Sequence, residues 1–432
     1  MRASRPLNLL ILSNIISGFA QGISMLAVPW YFVSMLHAPK QLTLMYMLML
    51  IGSIFWGLYS GTLIDKYARK KIFLVFSLIG GIVLCSASLS GLFYPMGVPT
   101  YMVVVVFVCT AYINGIYYPA LYAFAQEVTE ARDYTRINSV LEIQSQAMTI
   151  ASGGVGAILL QGIDMDSIHL GSFVIPIALH IKAWSLSRIF LIDGLTYLFS
   201  IVLISMIKYT PHTEKHPQED TSIWERFKTG NSFLRANPLI MIFGVSSLSI
   251  FVFLLLHFNT LVPVYVMNHL HKPVTIYALT DVFYASGALL AGAFAQYVFK
   301  RTNSVKAILF MIAITSVALS TCVISTSVLV YFSFSFILGI TNAATRILRS
   351  TYIFHHVPNN LIGRVSSVLF MLGTLCRIGL ALIFCLAFFS EGDNVIWALL
   401  ICVLYLIANF IMLAVNASGL KSRYPDHSIE AK

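Results

Sequence analysis

Long apolar runs alternate with short polar breaks along this chain, and the runs are far too long for strands. Twelve of them stand out, at Asn8–Leu36, Leu42–Ile64, Ile72–Tyr94, Thr100–Ala123, Ser139–Ile163, Arg188–Ile207, Leu239–Met267, Val274–Phe299, Ala307–Ser325, Ser327–Phe354, Val365–Ser390 and Val395–Asn416. A bilayer crossing takes ~20 mostly apolar residues over ~30 Å of hydrocarbon, so each run predicts one membrane-spanning helix. Backbone polar groups in lipid must bond within their own segment unless a barrel closes. The ten-residue alternation of a membrane barrel is missing. The expected fold class is therefore an all-α integral membrane protein with twelve transmembrane helices. The first run has no small-residue cleavage pattern after it and reads as an uncleaved helix.

One polar break is long. Residues 208–238 divide the spans six and six, which predicts an N-terminal bundle over 1–207, a linker over 208–238, a C-terminal bundle over 239–416 and a cytoplasmic tail over 417–432. The linker starts irregularly with "KYTPHTEKHPQED". Its end, "SIWERFKTGNSFLRANP", sets Trp224, Phe227, Phe233 and Leu234 among polar residues, as an amphipathic helix on the inner membrane surface would. The two halves also resemble each other. "RINSVL" (Arg136–Leu141) opens the fifth span and "RVSSVL" (Arg364–Leu369) opens the eleventh. Gly61 ends the second span and Gly292 the eighth, with Gln296 standing where Asp65 stands and Lys300–Arg301 where Arg69–Lys70 stand. The two matches have nearly the same spacing, so the chain reads as a duplicated six-helix unit of the parallel-repeat kind.

Composition agrees with the pattern and adds an orientation. The chain is 58% hydrophobic and 10% charged, with a mean hydropathy of +0.84. Placing the amino terminus in the cytoplasm puts nearly all of the 27 basic residues inside. Only Lys40, Lys182, Arg188 and Lys272 then lie outside, and Arg377 lies within a span. By the positive-inside rule both termini are cytoplasmic, in an inner (plasma) membrane. The net charge of +10 is thereby a set of topological anchors facing anionic lipid. Nucleic acid is not an expected partner. The six cysteines fall inside spans with no CxxC pair and read as packing residues. Of the eleven histidines only His355-His356 and His269-x-His271 are close pairs, so no metal site is expected. No P-loop and no nucleophile constellation are present, and neither enzymatic activity nor a cofactor is expected.

The stretch "GTLIDKYARKK" (Gly61–Lys71) crowds an Asp and four basic residues between two spans. A Gly allows close helix approach, an acid favours the amino end of a neighbouring helix, and the bases can grip carboxylates and lipid phosphates. Together they suit a latch on the cytoplasmic side. The stretch resembles the signature loop of the major facilitator superfamily through Gly61, Leu63, Asp65, Lys66, Arg69 and Lys70, with Ala68 replacing a usual Gly. Three further stretches are similar to the macrolide-efflux-like and siderophore-exporter-like branch: "FKTGNSFLRANPLI", "YPALYAFAQEVTEARDYTRINSV" and "IFLIDGLTYLFS". The resemblance implies a monomeric secondary transporter that exports a small amphipathic compound, of drug or siderophore type, by proton antiport and alternating access. Uptake of a siderophore, peptide or nutrient is the alternative direction. A receptor or lipid-handling protein on the same scaffold is the alternative class. The chain departs from drug antiporters in having Asn114 and no Arg in "AYINGIYYPA", and "SGGVGA" without the usual Pro.

A charge inside a span costs about 2.5–3.5 kcal/mol on insertion scales, so each one marks a candidate site. Arg377, Asp281 and Asp193 are such charges, expected in substrate binding or proton coupling or, failing that, in static ion pairs or a water-exposed vestibule. Asn14, Gln21, Asn114, His257 and Asn342 are the neutral candidates, on spans that line the cavity in the resembling family. Each could equally make an interhelical hydrogen bond. Gly61, Asp65, Lys66, Arg69, Lys70, Arg136, Glu142 and Arg364 are assigned to a cytoplasmic gate.

Overall fold

A computed structural model describes residues 5–94, 97–127, 134–170, 173–208, 223–299, 303–358 and 361–423. Helices dominate: α1 (Arg5–Trp30), α2 (Pro39–Lys66), α3 (Arg69–Phe93), α4 (Thr100–Glu127), α5 (Tyr134–Gln161) and α6 (Leu186–Ser205) fill the first half. After the short α7 (Ile223–Ala236), the second half holds α8 (Pro238–Leu256), α9 (Val274–Phe299), α10 (Ser304–Ile324), α11 (Val328–His356), α12 (Ile362–Phe384) and α13 (Val395–Arg423). Eleven helices among the described residues are long and apolar enough to cross a membrane. The remaining expected span is α2, itself 28 residues long but carrying Lys40 and Gln41 in its first turn. The last helix continues seven positions past Asn416 because Leu420, in register with Leu413, extends the buried stripe.

Two local features were not expected. Between α5 and α6 the chain forms an antiparallel hairpin of β1 (Ile163–Leu170) and β2 (Phe173–Ile181). Its register shifts between Met165 and Ser167, across from Pro176, which has no N–H to give the ladder. The second feature is a pair of π-helical turns, Tyr31–Met35 after α1 and Tyr265–His269 after α8. Each is followed by a histidine in the left-handed region, His37 at φ 47° and His271 at φ 51°. Tyr31, Leu36, His37 and Pro39 recur as Tyr265, Leu270, His271 and Pro273. The duplication thus extends to an irregular corner that hydropathy alone would not reproduce.

Contacts divide the chain into two compact units. The first comprises Met1–His37, Phe55–Glu214 and Lys272–Val282; the second comprises Ala38–Ile54, Lys215–His271 and Phe283–Lys432. Inside the first unit α6 packs on α3 and α1, α1 on α5, and α3 on α4. Inside the second unit α13 packs on α10 and α8, α8 on α12, and α10 on α11, which is the same arrangement repeated. Small residues set the closest approaches. A Cβ on Gly194 of α6 would stand 2.7 Å from the Cys85 sulfur of α3. In the second unit a Cβ on Gly339 would lie 2.0 Å from the Tyr284 carbonyl oxygen.

The amphipathic helix of the linker is α7. Its apolar side chains Phe227, Phe233 and Leu234 join a cluster with Ile240, Ile353, Val365 and Val368. Gly230 lets α7 press onto the first turn of α12, since a Cβ there would be 2.6 Å from the Arg364 carbonyl oxygen. Trp224 stays exposed at the edge of this face, stacked on Phe227 at 5.6 Å, with the Lys228 ammonium 5.8 Å from its ring.

Candidate functional site

Three helices of the first unit carry polar stripes at helical spacing, and the stripes converge. Asn14, Gly18, Gln21, Gly22 and Met25 come from α1, Asn114, Tyr118, Leu121 and Tyr122 from α4, and Leu141, Ser145, Met148, Thr149 and Ser152 from α5. They enclose an open pocket of ≈ 190 Å³ with no charged side chain in its lining among the described residues. The α1 and α5 walls can meet because Gly22 lacks a side chain; a Cβ there would be 2.4 Å from the Ser152 hydroxyl oxygen.

The hydrogen bonds in the wall decide what it offers. Gln21 Nε2 donates to Asn114 Oδ1 at 2.8 Å and to the Tyr197 hydroxyl at 2.9 Å. On α5, the Thr149 hydroxyl donates to the Ser145 carbonyl at 3.1 Å and the Ser152 hydroxyl to the Thr149 carbonyl at 3.2 Å. These hydrogens are spent on protein, while Asn14 and Asn114 bring amide groups that can both donate and accept. The pocket therefore suits a polar, hydrogen-bonding ligand group. A narrower extension of ≈ 10 Å³, lined by Asn14, Ser17, Gln21, Asn114, Tyr117, Tyr118 and Tyr197, runs deeper. That is about the space of one water.

The neutral candidates Asn14, Gln21 and Asn114 thus come together. Asp193 lies behind them on α6, 0% exposed, with neither carboxylate oxygen meeting ordinary hydrogen-bond geometry among the described residues. The Arg188–Asp193 proximity in sequence produces no ion pair among the described residues. Asp281 belongs to the same unit but not to the pocket lining; it sits near Gly153, whose Cβ would be 3.6 Å from its own. The second unit holds the others. Arg377 is 5% exposed and donates to the Thr374 hydroxyl at 2.7 Å, with its guanidinium 5.6 Å from the Phe370 ring and beside the Tyr46 hydroxyl. No carboxylate pairs with it among the described residues, so the static ion pair expected as an alternative is not seen. His257 is buried in an aromatic box of Phe253 and Phe334, at 5.1 and 5.6 Å, with neither ring nitrogen bonded. Asn342 donates to the Tyr284 hydroxyl at 2.9 Å, the interhelical bond expected as its alternative.

Of the residues assigned to a cytoplasmic gate, Lys70 caps α6: its ammonium donates to the carbonyls of Ser205 and Ile207 at 2.9 and 2.7 Å. Arg69 opens α3 and Arg364 lies in the first turn of α12. Gly61 and the side chains of Asp65, Lys66, Arg136 and Glu142 lie outside the described ones. Sequence reasoning missed the α5 wall and Tyr197. Ser145, Thr149 and Ser152 repeat at helical spacing along one face of the span, which is the signal that could have found them.

Residues 10–379 match the family described as Major Facilitator Superfamily. Macrolide efflux protein A of Streptococcus pyogenes is 22% identical over 304 residues, covering 69% of this chain and 69% of that protein. Macrolide efflux protein A of Enterococcus faecalis is 24% identical over 259 residues, 59% of this chain and 72% of that one. Among solved structures, a variant of the nucleoside transporter NupG superposes with a TM-score of 0.73 at 12% identity, over 95% of this chain and 99% of that one. The POT family transporter PepTSo gives 0.70 at 11% identity, over 98% and 99%. These two likenesses speak for the fold.

Proposed function

The chain belongs to the major facilitator superfamily, and we propose that it exports a small amphipathic organic compound of drug type, in exchange for protons. The observation that carries this reading is the pocket of the first unit. Its wall of amides and hydroxyls, with Tyr118, Tyr122, Met25 and Met148 beside it, suits a compound with an apolar body and several hydrogen-bonding groups. A drug-sized ligand asks for ~300–1,000 Å³, so ≈ 190 Å³ receives one group of such a molecule rather than the whole. Export is the direction favoured by the two relatives named for macrolide efflux.

The remaining parts of the reading rest on charge and motif. The protein works as a monomer in the inner (plasma) membrane with both termini in the cytoplasm, as the distribution of basic residues favours. Residues 208–238 link two six-helix halves, and the loop containing Asp65 stabilises a state closed toward the cytoplasm. Protons supply the drive: ~100 mV moves one charge with ~2.3 kcal/mol.

The test is untargeted mass spectrometry of cells and medium, wild type against deletion strain, in iron-rich and iron-poor medium. A compound enriched inside and depleted outside the deletion strain establishes export and identifies the substrate. Appearance only in iron-poor medium would make it a siderophore. A compound left behind in the medium would overturn the direction.

A further inference from the structure

Asp193 has no role in the pocket as described, yet it is the least comfortable group in the first unit. It is fully buried, and among the described residues no basic side chain interacts with it and neither carboxylate oxygen meets ordinary hydrogen-bond geometry. What faces it is weakly polar: the Ser24 hydroxyl from α1, near enough to interact with it, and the Cys85 thiol from α3. From its own helix there is Tyr197, with Tyr117 and Tyr118 of α4 beyond it. Burial costs a carboxylate there several kcal/mol of desolvation, which one hydroxyl repays only in part.

Its position connects it to the pocket. Tyr197 stands one helical turn beyond Asp193, and its hydroxyl accepts from the Gln21 amide that also fixes Asn114. Ser24 stands one turn beyond Gln21 on α1. Two consecutive turns of α1 thus face two consecutive turns of α6, and Tyr197 is part of the lining of the water-sized extension. We propose that Asp193 is the proton-carrying group of the transport cycle and that Gln21 and Tyr197 couple its charge to the pocket.

The step balances simply. The Asp193 O–H bond breaks, the proton leaves through water in the narrow extension, and a negative charge remains on the carboxylate. That charge draws the Ser24 hydroxyl and the donors of Tyr197 and Gln21 toward it. Gln21 then releases Asn114, and the donor–acceptor layout of the pocket wall changes with the protonation state. Substrate and proton are in this way linked without sharing a site, so the coupling is reciprocal.

The inference rests on the reading of the chain as a proton-driven exporter, and two measurements separate their failures. The first is infrared spectroscopy of the purified full-length protein, which follows the carbonyl band of a protonated carboxylic acid. The second uses proteoliposomes with an internal pH dye and radiolabelled erythromycin, a macrolide, as the probe. The expected result is that Asp193→Asn loses a protonated-acid band that the wild type has at neutral pH. Its gradient-driven accumulation falls on the order of tenfold relative to exchange in the same vesicles, within the usual range for coupled sites. Tyr197→Phe, which keeps the ring and the carboxyl, lowers the same ratio and serves if Asp193→Asn does not fold. An unchanged band in Asp193→Asn, or proton movement equal to wild type, overturns the role of Asp193 and leaves the exporter reading standing. If the wild type moves erythromycin without protons while the band still vanishes in Asp193→Asn, antiport falls and the coupling with it.

Discussion

Replacing Gln21 by Leu removes one amide that holds two others. The two bonds at 2.8 and 2.9 Å tie α1 to α4 and α6. Interhelical hydrogen bonds in membranes average ~0.6 kcal/mol each, so the pair contributes about 1 kcal/mol. The Tyr197 hydroxyl is left without its donor at a buried position, which can raise the loss to about 2–3 kcal/mol. That is a fraction of a typical stability of ~5–15 kcal/mol, so the variant folds with a lowered melting temperature. The pocket also loses the Gln21 carbonyl as an acceptor and the fixed orientation of Asn114. A neutral hydrogen bond contributes about 0.5–1.5 kcal/mol net, equivalent to a twofold to roughly tenfold weaker Kd. Thermal unfolding and equilibrium binding of the compound found by mass spectrometry, both on purified protein, measure the two effects. Unaltered affinity together with an unaltered melting temperature would refute the wall as described.

Three other substitutions probe different levels. Gly339→Ala puts a Cβ 2.0 Å from the Tyr284 carbonyl oxygen, where backbone must move; a cost of about 1–3 kcal/mol is expected by thermal unfolding, against none for the uncrowded Gly379→Ala. Lys70→Ala opens the last turn of α6, lowering stability by ~0.3–1 kcal/mol and speeding amide exchange around Ser205 and Ile207. Asp65→Asn keeps the melting temperature but slows transport in proteoliposomes; unchanged flux would count against the latch.

Much of this was legible in the sequence because lipid leaves the chain few options. Apolar runs can only be helices, so the spans, the surface helix around Phe227 and Leu234, and the six-plus-six repeat could be read from hydropathy and spacing. Asn14, Gln21 and Asn114 were legible because an amide is conspicuous among leucines and valines. The α5 wall was not, since a Ser or Thr in a span usually bonds its own backbone and passes for filler, as Thr149 and Ser152 in part do. That Arg377 and Asp193 meet no opposite charge among the described residues was illegible for another reason. Sequence proximity, as of Arg188 to Asp193, says nothing about which way side chains on successive turns point. The hairpin between α5 and α6 was hidden because a short stretch with Asp164, Asp166 and Pro176 between two spans reads as a connecting loop.

The duplicated corner at His37 and His271 separates chemistry from geometry. Histidine invites a chemical role, in a metal site or a proton relay, and His269-x-His271 is one of two close histidine pairs. Both residues are exposed, however, and both follow a π-helical turn with positive φ, where the chain must reverse before a proline. A left-handed residue with a side chain costs ~1–2 kcal/mol, and only Gly escapes that cost. If the corner is what matters, His37→Gly and His271→Gly exchange relief of strain for a more flexible unfolded chain, and the two nearly cancel. Stability and transport then stay close to wild type in both, while the β-branched His37→Val and His271→Val each lose about 1–2 kcal/mol. A relay or a ligand would behave the other way, with glycine abolishing transport in a stably folded protein. Because the same turn is built twice from the same four residue types, the two sites must answer alike. A transport defect confined to His271→Gly would mean that one copy had been recruited for chemistry after the duplication.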